Sequence, residues 1–127
     1  MRAPFDEIEE TISFYLDGIH QGDVELLQRA MHPDCRMACI SSARYLNIGM
    51  NEYFDLVENR QSPLDVGETR CDKVHSIQHV QEEIAFVRLG CLVLGKDCED
   101  LLTLIRDGGK WQIISKVYAV KPLSAAS

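Results

Sequence analysis

Apolar residues recur at two different spacings along this chain, and the spacing changes about halfway. Over residues 4–19 they return every three or four positions, which predicts an amphipathic helix. Residues 24–31 and 52–59 repeat this spacing and predict two further helices, preceded by Asp23 and Asn51, which are residue types suited to an N-cap. We therefore expect the N-terminal half to be mainly helical, with Pro33 ending the second helix.

In the second half, apolar residues mostly alternate with polar ones, the spacing of β-strands. Strands are predicted over 84–94, 101–106 and 111–120. We expect residues 96–100 to form the first connection between them. The second is the turn Asp107-Gly108-Gly109-Lys110, because Asp-Gly between apolar runs is a strong hairpin signal.

Three other stretches predict less regular structure. Residues 69–80 have an apolar side chain at every third position, which indicates a bulged strand. Residues 34–40 predict a short strand with Cys35 and Cys39 on one face, together with Met37. Residues 41–49 are interpreted as irregular or as a short hairpin arm.

The last strands are apolar on both faces, which a one-sided antiparallel sheet would not be. We expect one face of the final strand to carry Trp111, Ile113, Val117 and Ala119, and the other Ile114, Tyr118 and Val120. The helices can cover one face of the sheet. A second copy of the sheet is expected on the other, which predicts a homodimer; scattered surface hydrophobics are the alternative.

Length, charge and cysteine content narrow the class of protein. A chain of 127 residues suffices for one domain, expected to span residues 1–127. The net charge of −7 argues against a nucleic-acid partner. The acidic N-terminal stretch lacks a signal peptide's apolar core, and no apolar run approaches the roughly 20 residues of a membrane helix. Five cysteines, an odd number, indicate reduced thiols and a cytoplasmic location.

Several short motifs carry a family resemblance across nearly the whole chain. They are Tyr15-Leu16-Asp17-Gly18, His20-Gln21-Gly22-Asp23, Met31-His32-Pro33-Asp34, Asn51-Glu52-Tyr53-Phe54, Asp100-Leu101-Leu102-Thr103-Leu104, Asp107-Gly108-Gly109-Lys110-Trp111-Gln112-Ile113 and Lys116-Val117-Tyr118. In this order they resemble the nuclear transport factor 2-like superfamily, which includes SnoaL-like polyketide cyclases and ketosteroid isomerases. More narrowly, the chain resembles the putative lumazine-binding branch.

The resemblance implies an α+β, cystatin-like cone in which a curved antiparallel or mixed sheet wraps around three N-terminal helices. It also implies a pocket at the open end of the cone. The side chains expected to line it are Tyr15, Ile19, Leu27, Met31, Cys39, Tyr53, Phe54, Leu102 and Trp111. Each of them, taken singly, is better explained as part of the core, and the pocket hypothesis concerns the set.

Three titratable residues stand out. His32 and Asp100 are the candidate catalytic groups, because histidine titrates near neutral pH and a carboxylate in an apolar pocket makes a usable base. A turn-capping role for His32 is the alternative. Lys116 interrupts the final apolar strand and could pair with Asp100 inside the cone, at its rim or at a dimer seam.

No metal site or cofactor is expected. The set His32, Cys35 and Cys39 does not have a zinc-binding spacing, and the two cysteines would be about 13 Å apart along a strand.

Three hypotheses of function follow. The first is a dimer that binds a small apolar or aromatic molecule in the cone. The second is an acid–base enzyme, such as an isomerase, dehydratase or cyclase, that acts on a small carbonyl compound. The third is a protein-interaction module that uses the sheet face for another chain.

Overall fold

The computed structural model describes residues 3–121 and contains three helices and six strands within that range. Met1 and Arg2, the start of the acidic N-terminal stretch, lie outside the described residues. The helices are α1 (Pro4–Gln21), α2 (Val24–Ala30) and α3 (Met50–Asn59). The strands are β1 (Met31–Ser41), β2 (Arg44–Gly49), β3 (Asp72–Val80), β4 (Ile84–Val93), β5 (Lys96–Asp107) and β6 (Lys110–Lys121).

All six strands form one curved mixed sheet in the order β2-β1-β6-β5-β4-β3. Neighbouring strands are antiparallel except β1 and β6, which are parallel. The helices cover one face of the sheet, and the core fills the space between them. The α+β arrangement expected from the sequence, with a mixed sheet around three helices, is confirmed. None of the helices in the described range is long and apolar enough to cross a membrane.

The helical hairpin α1–α2 is determined by local sequence. Gly22 ends α1 in the left-handed region, with φ of 67°, which glycine adopts without a side-chain clash. The Asp23 carboxylate then accepts hydrogen bonds from the backbone N–H groups of Glu25 and Leu26, as expected of an N-cap. A side chain at Gly18 would lie 2.8 Å from Leu27, so this glycine permits the close packing of the two helices.

The structure corrects several predicted boundaries. Helix α2 ends at Ala30, before Met31, because the residue preceding Pro33 must be extended and the chain leaves the α region early. Strand β1 accordingly begins three residues before the predicted position and is irregular between Met31 and Arg36. Helix α3 starts at Met50 after Gly49, without the predicted side-chain cap from Asn51.

The connection between β4 and β5 is shorter than predicted. It is the two-residue turn Leu94-Gly95, with φ of 51° and 79°, as in hairpins whose two turn residues are both left-handed. Residues 96–100, predicted as a linker, therefore belong to β5. Asp100 lies in the interior of that strand rather than at its start.

A β-bulge in β6 changes which side chains face the helices. Leu104 pairs with Ile113 and Thr103 with Ser115, so Ile114 is an extra residue. The predicted face Trp111, Ile113, Val117 and Ala119 was therefore wrong. Trp111 and Ile113 are buried beneath the helices, but after the bulge Lys116 is buried while Val117 and Ala119 are exposed. The predicted second face, Ile114, Tyr118 and Val120, was wrong for the same reason, because Tyr118 lies on the same face as the buried Lys116.

The predicted faces of β1 and β4 are confirmed. Alternate residues of β4 are buried, as are Cys35, Met37 and Cys39 in β1. Strand β3 has the expected irregularity, between Val74 and Ser76. Residues 44–49 form the short hairpin arm β2.

Candidate functional site

A cavity of about 240 Å³ lies at the open end of the cone, between the sheet and α1 and α3. Its wall is largely apolar, with four charged side chains, from Arg60, Lys96, Asp100 and Lys116. The remaining lining residues are Ile19, Met37, Leu46, Tyr53, Leu56, Cys91, Val93, Leu94, Cys98 and Tyr118. An apolar cavity with a few polar groups is the usual form of a small-molecule site.

Asp100 is the acidic group of this cavity, and only 1% of its surface is exposed. The Tyr15 hydroxyl donates a hydrogen bond of 2.5 Å to Oδ2 of Asp100, and the Cys91 thiol lies 3.9 Å from the same oxygen. Within residues 3–121, Oδ1 of Asp100 has no hydrogen-bond donor. One carboxylate oxygen is thus held by the protein and the other remains able to accept from a ligand.

Lys116 is the basic group of the cavity and is also buried. Its Nζ donates to the Tyr53 hydroxyl at 3.5 Å, which is a long hydrogen bond. The rings of Tyr15, Tyr53 and Tyr118 each have their centroid 5.1 Å from Nζ. Cation–π attraction therefore replaces part of the hydration that Lys116 loses on burial. The Lys116 ammonium group has three N–H donors but makes one hydrogen bond in the described part of the chain.

The two buried charges influence each other without a direct ion pair between Lys116 and Asp100 in residues 3–121. Burial lowers the pKa of Lys116, but Tyr53 and the Asp100 carboxylate raise it, and the net pKa lies above its ordinary value. Burial and the adjacent Asp100 carboxylate raise the pKa of Tyr15 well above that of free tyrosine. Lys116 is therefore charged and Tyr15 is a neutral donor at physiological pH.

Two thiols face each other in the cavity wall. Cys91 and Cys98 are directly opposite each other on β4 and β5, and both are free and buried. Burial and the Asp100 carboxylate raise the pKa of both thiols. They are consequently neutral and weakly nucleophilic at neutral pH, which suits packing against a ligand better than attack on it.

The mouth of the cavity is formed by the end of α3 and the β4–β5 turn. Arg60 follows α3 directly and Lys96 is the first residue of β5. The turn before Lys96 is held by Glu68, whose carboxylate oxygens accept from the backbone N–H groups of Leu94 and Gly95 at 2.8 and 2.7 Å. The rim is thus tied to the loop between α3 and β3.

The structure brings together part of the predicted site. Ile19, Tyr53 and Asp100 line the cavity, and Tyr15 contacts it through Asp100. Cys39 is buried next to the cavity, where its thiol contacts the Tyr118 hydroxyl. Leu27, Leu102 and Trp111 are buried in the core outside the cavity lining, and Met31 and Phe54 line a separate shallow crevice.

His32 lies away from this cavity, at the start of β1. Its Nδ1 accepts from the backbone N–H of Asp34 at 3.0 Å, and its Nε2 lies 2.9 Å from Asp107 Oδ2. An accepting Nδ1 leaves the proton on Nε2, which donates to Asp107. These contacts are those of a residue that fixes the start of β1 against the β5–β6 hairpin.

Sequence reasoning missed several lining residues. Met37 and Cys91 belong to strands whose faces were predicted correctly, so their strand alternation could have identified them. Tyr118 was missed because it lies beyond the bulge in β6, where the predicted alternation reverses. Arg60 and Lys96 were missed because a mouth is formed by segments distant in sequence. Lys116 was noticed, but its inward direction depends on the bulge at Ile114.

Comparisons with known proteins agree with this architecture. An NTF2-like protein of unknown function from Shewanella baltica OS155 is 21% identical, with a TM-score of 0.83 over 93% of this chain and 94% of that one. Another, from Silicibacter pomeroyi DSS-3, is 20% identical, with a TM-score of 0.82 over 92% and 95%. A ketosteroid isomerase-like protein from Erwinia carotovora atroseptica SCRI1043 is 16% identical, with a TM-score of 0.72 over 96% and 100%.

These likenesses concern the fold, which hosts unrelated activities. No curated protein matches the sequence. Residues 3–119 match the family described as "putative lumazine-binding", which is more specific than the fold. The chain therefore belongs to the family described as putative lumazine-binding, and its fold is that of the nuclear transport factor 2-like structures.

Proposed function

We propose that this protein binds a small planar molecule with both a carbonyl oxygen and an N–H or O–H group in the cavity. The observation that carries the proposal is the incomplete hydrogen bonding of Lys116. A buried ammonium group with a single long hydrogen bond is costly unless another acceptor completes its surroundings. A ligand carbonyl in the cavity supplies that acceptor.

The neighbouring strand of the same cavity wall offers a complementary group. Oδ1 of Asp100 can accept from a ligand N–H or O–H, because Tyr15 occupies only Oδ2. The Met37 and Ile19 side chains provide apolar contact for a flat ring. Lumazine, the ligand in the family description, is a pteridine-dione with both carbonyl and N–H groups, so it is a reasonable first compound to test.

A thermal-shift and calorimetric screen tests this proposal. The panel contains lumazine, pterin, flavin, steroid and polyketide-like compounds. We expect at least one planar compound to bind the wild-type protein and to bind Lys116→Met at least about tenfold more weakly, because a charged hydrogen bond is lost. Lys73→Met, at an exposed position on β3, is the matched control and should bind like the wild type.

Two results would overturn the proposal. One is the absence of binding by every compound in the panel. The other is equal binding by wild type and Lys116→Met, which would place the ligand elsewhere on the protein.

A second candidate function is acid–base catalysis on a small carbonyl compound, and the position of Asp100 in the cavity wall favours it. In this hypothesis Asp100 removes a proton from carbon next to the carbonyl, and Lys116 stabilises the developing enolate oxygen. His32 has no part in it. Exchange of substrate C–H protons with D₂O, followed by NMR, would be abolished in Asp100→Asn; exchange that is unaffected would contradict the hypothesis.

We also propose that the protein acts as a homodimer through the outer face of the sheet. Leu101 of β5 and Val117 of β6 are directly opposite each other on this face, and 41% and 46% of their surfaces are exposed. Ile84 and Phe86 of β4 extend the apolar surface. Exposed apolar side chains grouped on one face are typical of an interface, and a second copy offers the same surface in return.

Sedimentation velocity tests the dimer. The wild type should sediment as a dimer and Leu101→Glu/Val117→Glu as a monomer, because each charge would be buried without a partner. Leu64→Glu, at an exposed loop position, is the control and should remain dimeric. A monomeric wild type would contradict the dimer and leave this face for a different chain.

Five free thiols support a reducing, cytoplasmic setting for the proposed activity.

A further inference from the structure

The charges around the cavity have an unexpected balance for such an acidic chain. The protein carries 20 acidic and 13 basic residues, yet three of the four charged side chains that line the cavity are cations. They are Arg60 and Lys96 at the mouth and Lys116 further in, and Asp100 is the single anion. The cavity is therefore locally positive within a negatively charged protein.

The two cations at the mouth are not neutralised by the protein. Within residues 3–121, neither Arg60 nor Lys96 forms an ion pair, although Arg60 is half-buried. Other arginines are paired: Arg70 contacts Asp17 and Asp72, and Arg88 contacts Glu99. Arg60 thus differs from Arg70 and Arg88, which are more exposed and yet are paired with carboxylates.

A carboxylate at the rim, that of Glu68, is already hydrogen-bonded to the backbone. Both oxygens of Glu68 accept backbone N–H groups of the β4–β5 turn, so this carboxylate holds the turn that carries Lys96. Lys96 follows that turn directly and Arg60 follows the last turn of α3, which fixes the backbone on both sides of the mouth. The backbone at the mouth is therefore held in place, and it carries two cations, Arg60 and Lys96, without ion-pair partners in residues 3–121.

We propose that the ligand of this cavity is anionic, with a carboxylate, phosphate or sulfonate group between Arg60 and Lys96 and its planar part further in. This inference rests on the proposed function and adds the chemical class of the ligand. Arg60 can form a bidentate hydrogen-bonded pair with such a group, and Lys96 adds a second positive charge. Specificity for the anion then comes from the mouth, whereas Lys116 and Asp100 orient the ring.

A pair of fluorescent probes tests the inference without knowledge of the natural ligand. N-phenyl-1-naphthylamine and 8-anilino-1-naphthalenesulfonate have the same ring system and differ by one sulfonate. We expect the sulfonate to bind the wild-type protein about tenfold more tightly at low ionic strength. This preference should shrink in about 1 M salt, where the Debye length falls to roughly 3 Å.

Variants that remove positive charge show which residues cause the preference for the sulfonate dye. In Arg60→Gln/Lys96→Gln the preference for the sulfonate should fall to about twofold or less, with the affinity for the neutral dye unchanged. Arg44→Gln/Lys73→Gln removes the same charge from exposed positions outside the cavity and should keep the full preference.

The outcomes separate this inference from the proposed function. If the neutral dye binds as tightly as the sulfonate, or if both double variants lose the preference equally, the anionic ligand is overturned while a cavity that binds planar molecules stands. If neither dye binds, the anionic ligand is overturned, and the proposed function is decided by the screen of carbonyl-bearing compounds alone.

Discussion

At the scale of single residues, the most important contact in the cavity wall is the buried hydrogen bond from Tyr15 to Asp100. The phenol and the carboxylate come from α1 and β5, 85 positions apart, and both are almost completely buried. A carboxylate in this position is tolerated because Tyr15 donates to it and Lys116 lies in the same cavity. The pair therefore supports the fold and the candidate site together.

Tyr15→Phe should destabilise the protein by about 1–3 kcal/mol, because it leaves the buried Asp100 carboxylate without its strongest donor. Tyr53→Phe should cost less, about 0.5–1 kcal/mol, since the hydrogen bond between Lys116 and Tyr53 is long. Urea denaturation measures both. In an Asp100→Asn background the effect of Tyr15→Phe should shrink, and an undiminished effect would argue that the lost contact is not with Asp100.

At the scale of helices and strands, three hairpin turns use residues that do not favour their backbone conformation, and in the β3–β4 turn this residue is Gln81, with φ of 57°. Ser42 and Ala43 connect β1 to β2 with φ of 50° and 63°, and Leu94 precedes Gly95 with φ of 51°. The Asp107-Gly108-Gly109-Lys110 turn, in contrast, has glycines at both positions of positive φ. Local strain is thus present at three of the four hairpin turns and absent from the turn at Gly108-Gly109.

Replacing Ser42-Ala43 with Asn-Gly should stabilise the protein by about 1 kcal/mol, because both new residues suit positive φ and both positions are exposed. Ala38→Gly, inside β1, is the control and should destabilise by roughly 0.5–1 kcal/mol. Thermal or urea unfolding measures the difference. If Asn-Gly at positions 42 and 43 destabilised the protein as much as Ala38→Gly does, the prediction of strain in this turn would be contradicted.

The elements also show how much could be predicted from sequence. The stripe of α1, the N-cap at Asp23 and the turn at Gly108 follow from local preferences, and all three were correct. The turn at Leu94 was missed because leucine is unusual at positive φ. The bulge at Ile114 was missed because Ile113 and Ile114 are both apolar, so the pattern gives no sign of which one is extra.

The candidate site was predictable to a smaller extent. Asp100 and Tyr53 were named from the motifs and lie in the cavity wall, whereas His32 does not. A cavity depends on how three helices close over a curved sheet, which no local pattern specifies. The mouth residues Arg60 and Lys96 are the clearest example, since each looks like an ordinary surface cation in the sequence.

At the scale of the whole molecule, the groups that must remain buried share one direction of pKa shift. The pKa values of Tyr15, Lys116, Cys91 and Cys98 are all raised, and burial raises that of Cys35 to about 12. For Lys116 burial opposes the shift, and Tyr53 and Asp100 cause it. In every case the folded chain holds the proton more tightly than the unfolded chain.

Stability should therefore be constant from about pH 7 to 8 and should fall as the pH rises past the unfolded-state values, about 8.5 for thiols and about 10 for tyrosine and lysine. Below those values both states carry the protons and nothing is lost. The urea midpoint measured between pH 7 and 10.5 checks this. Cys35→Ala should reduce the fall above pH 9, and a wild-type midpoint that stays level to pH 10.5 would contradict the prediction.

The extra residue at Ile114 has a consequence for how such a protein could diversify. Deleting one residue there would restore regular pairing and shift the remainder of β6 by one position, so that Lys116 and Tyr118 would point to the outer surface and Val117 would point inward. A single-codon deletion could thus exchange a charged, aromatic interior for an aliphatic one with every remaining side chain unaltered. The length of the last strand thus determines which of its side chains line the cavity of this protein.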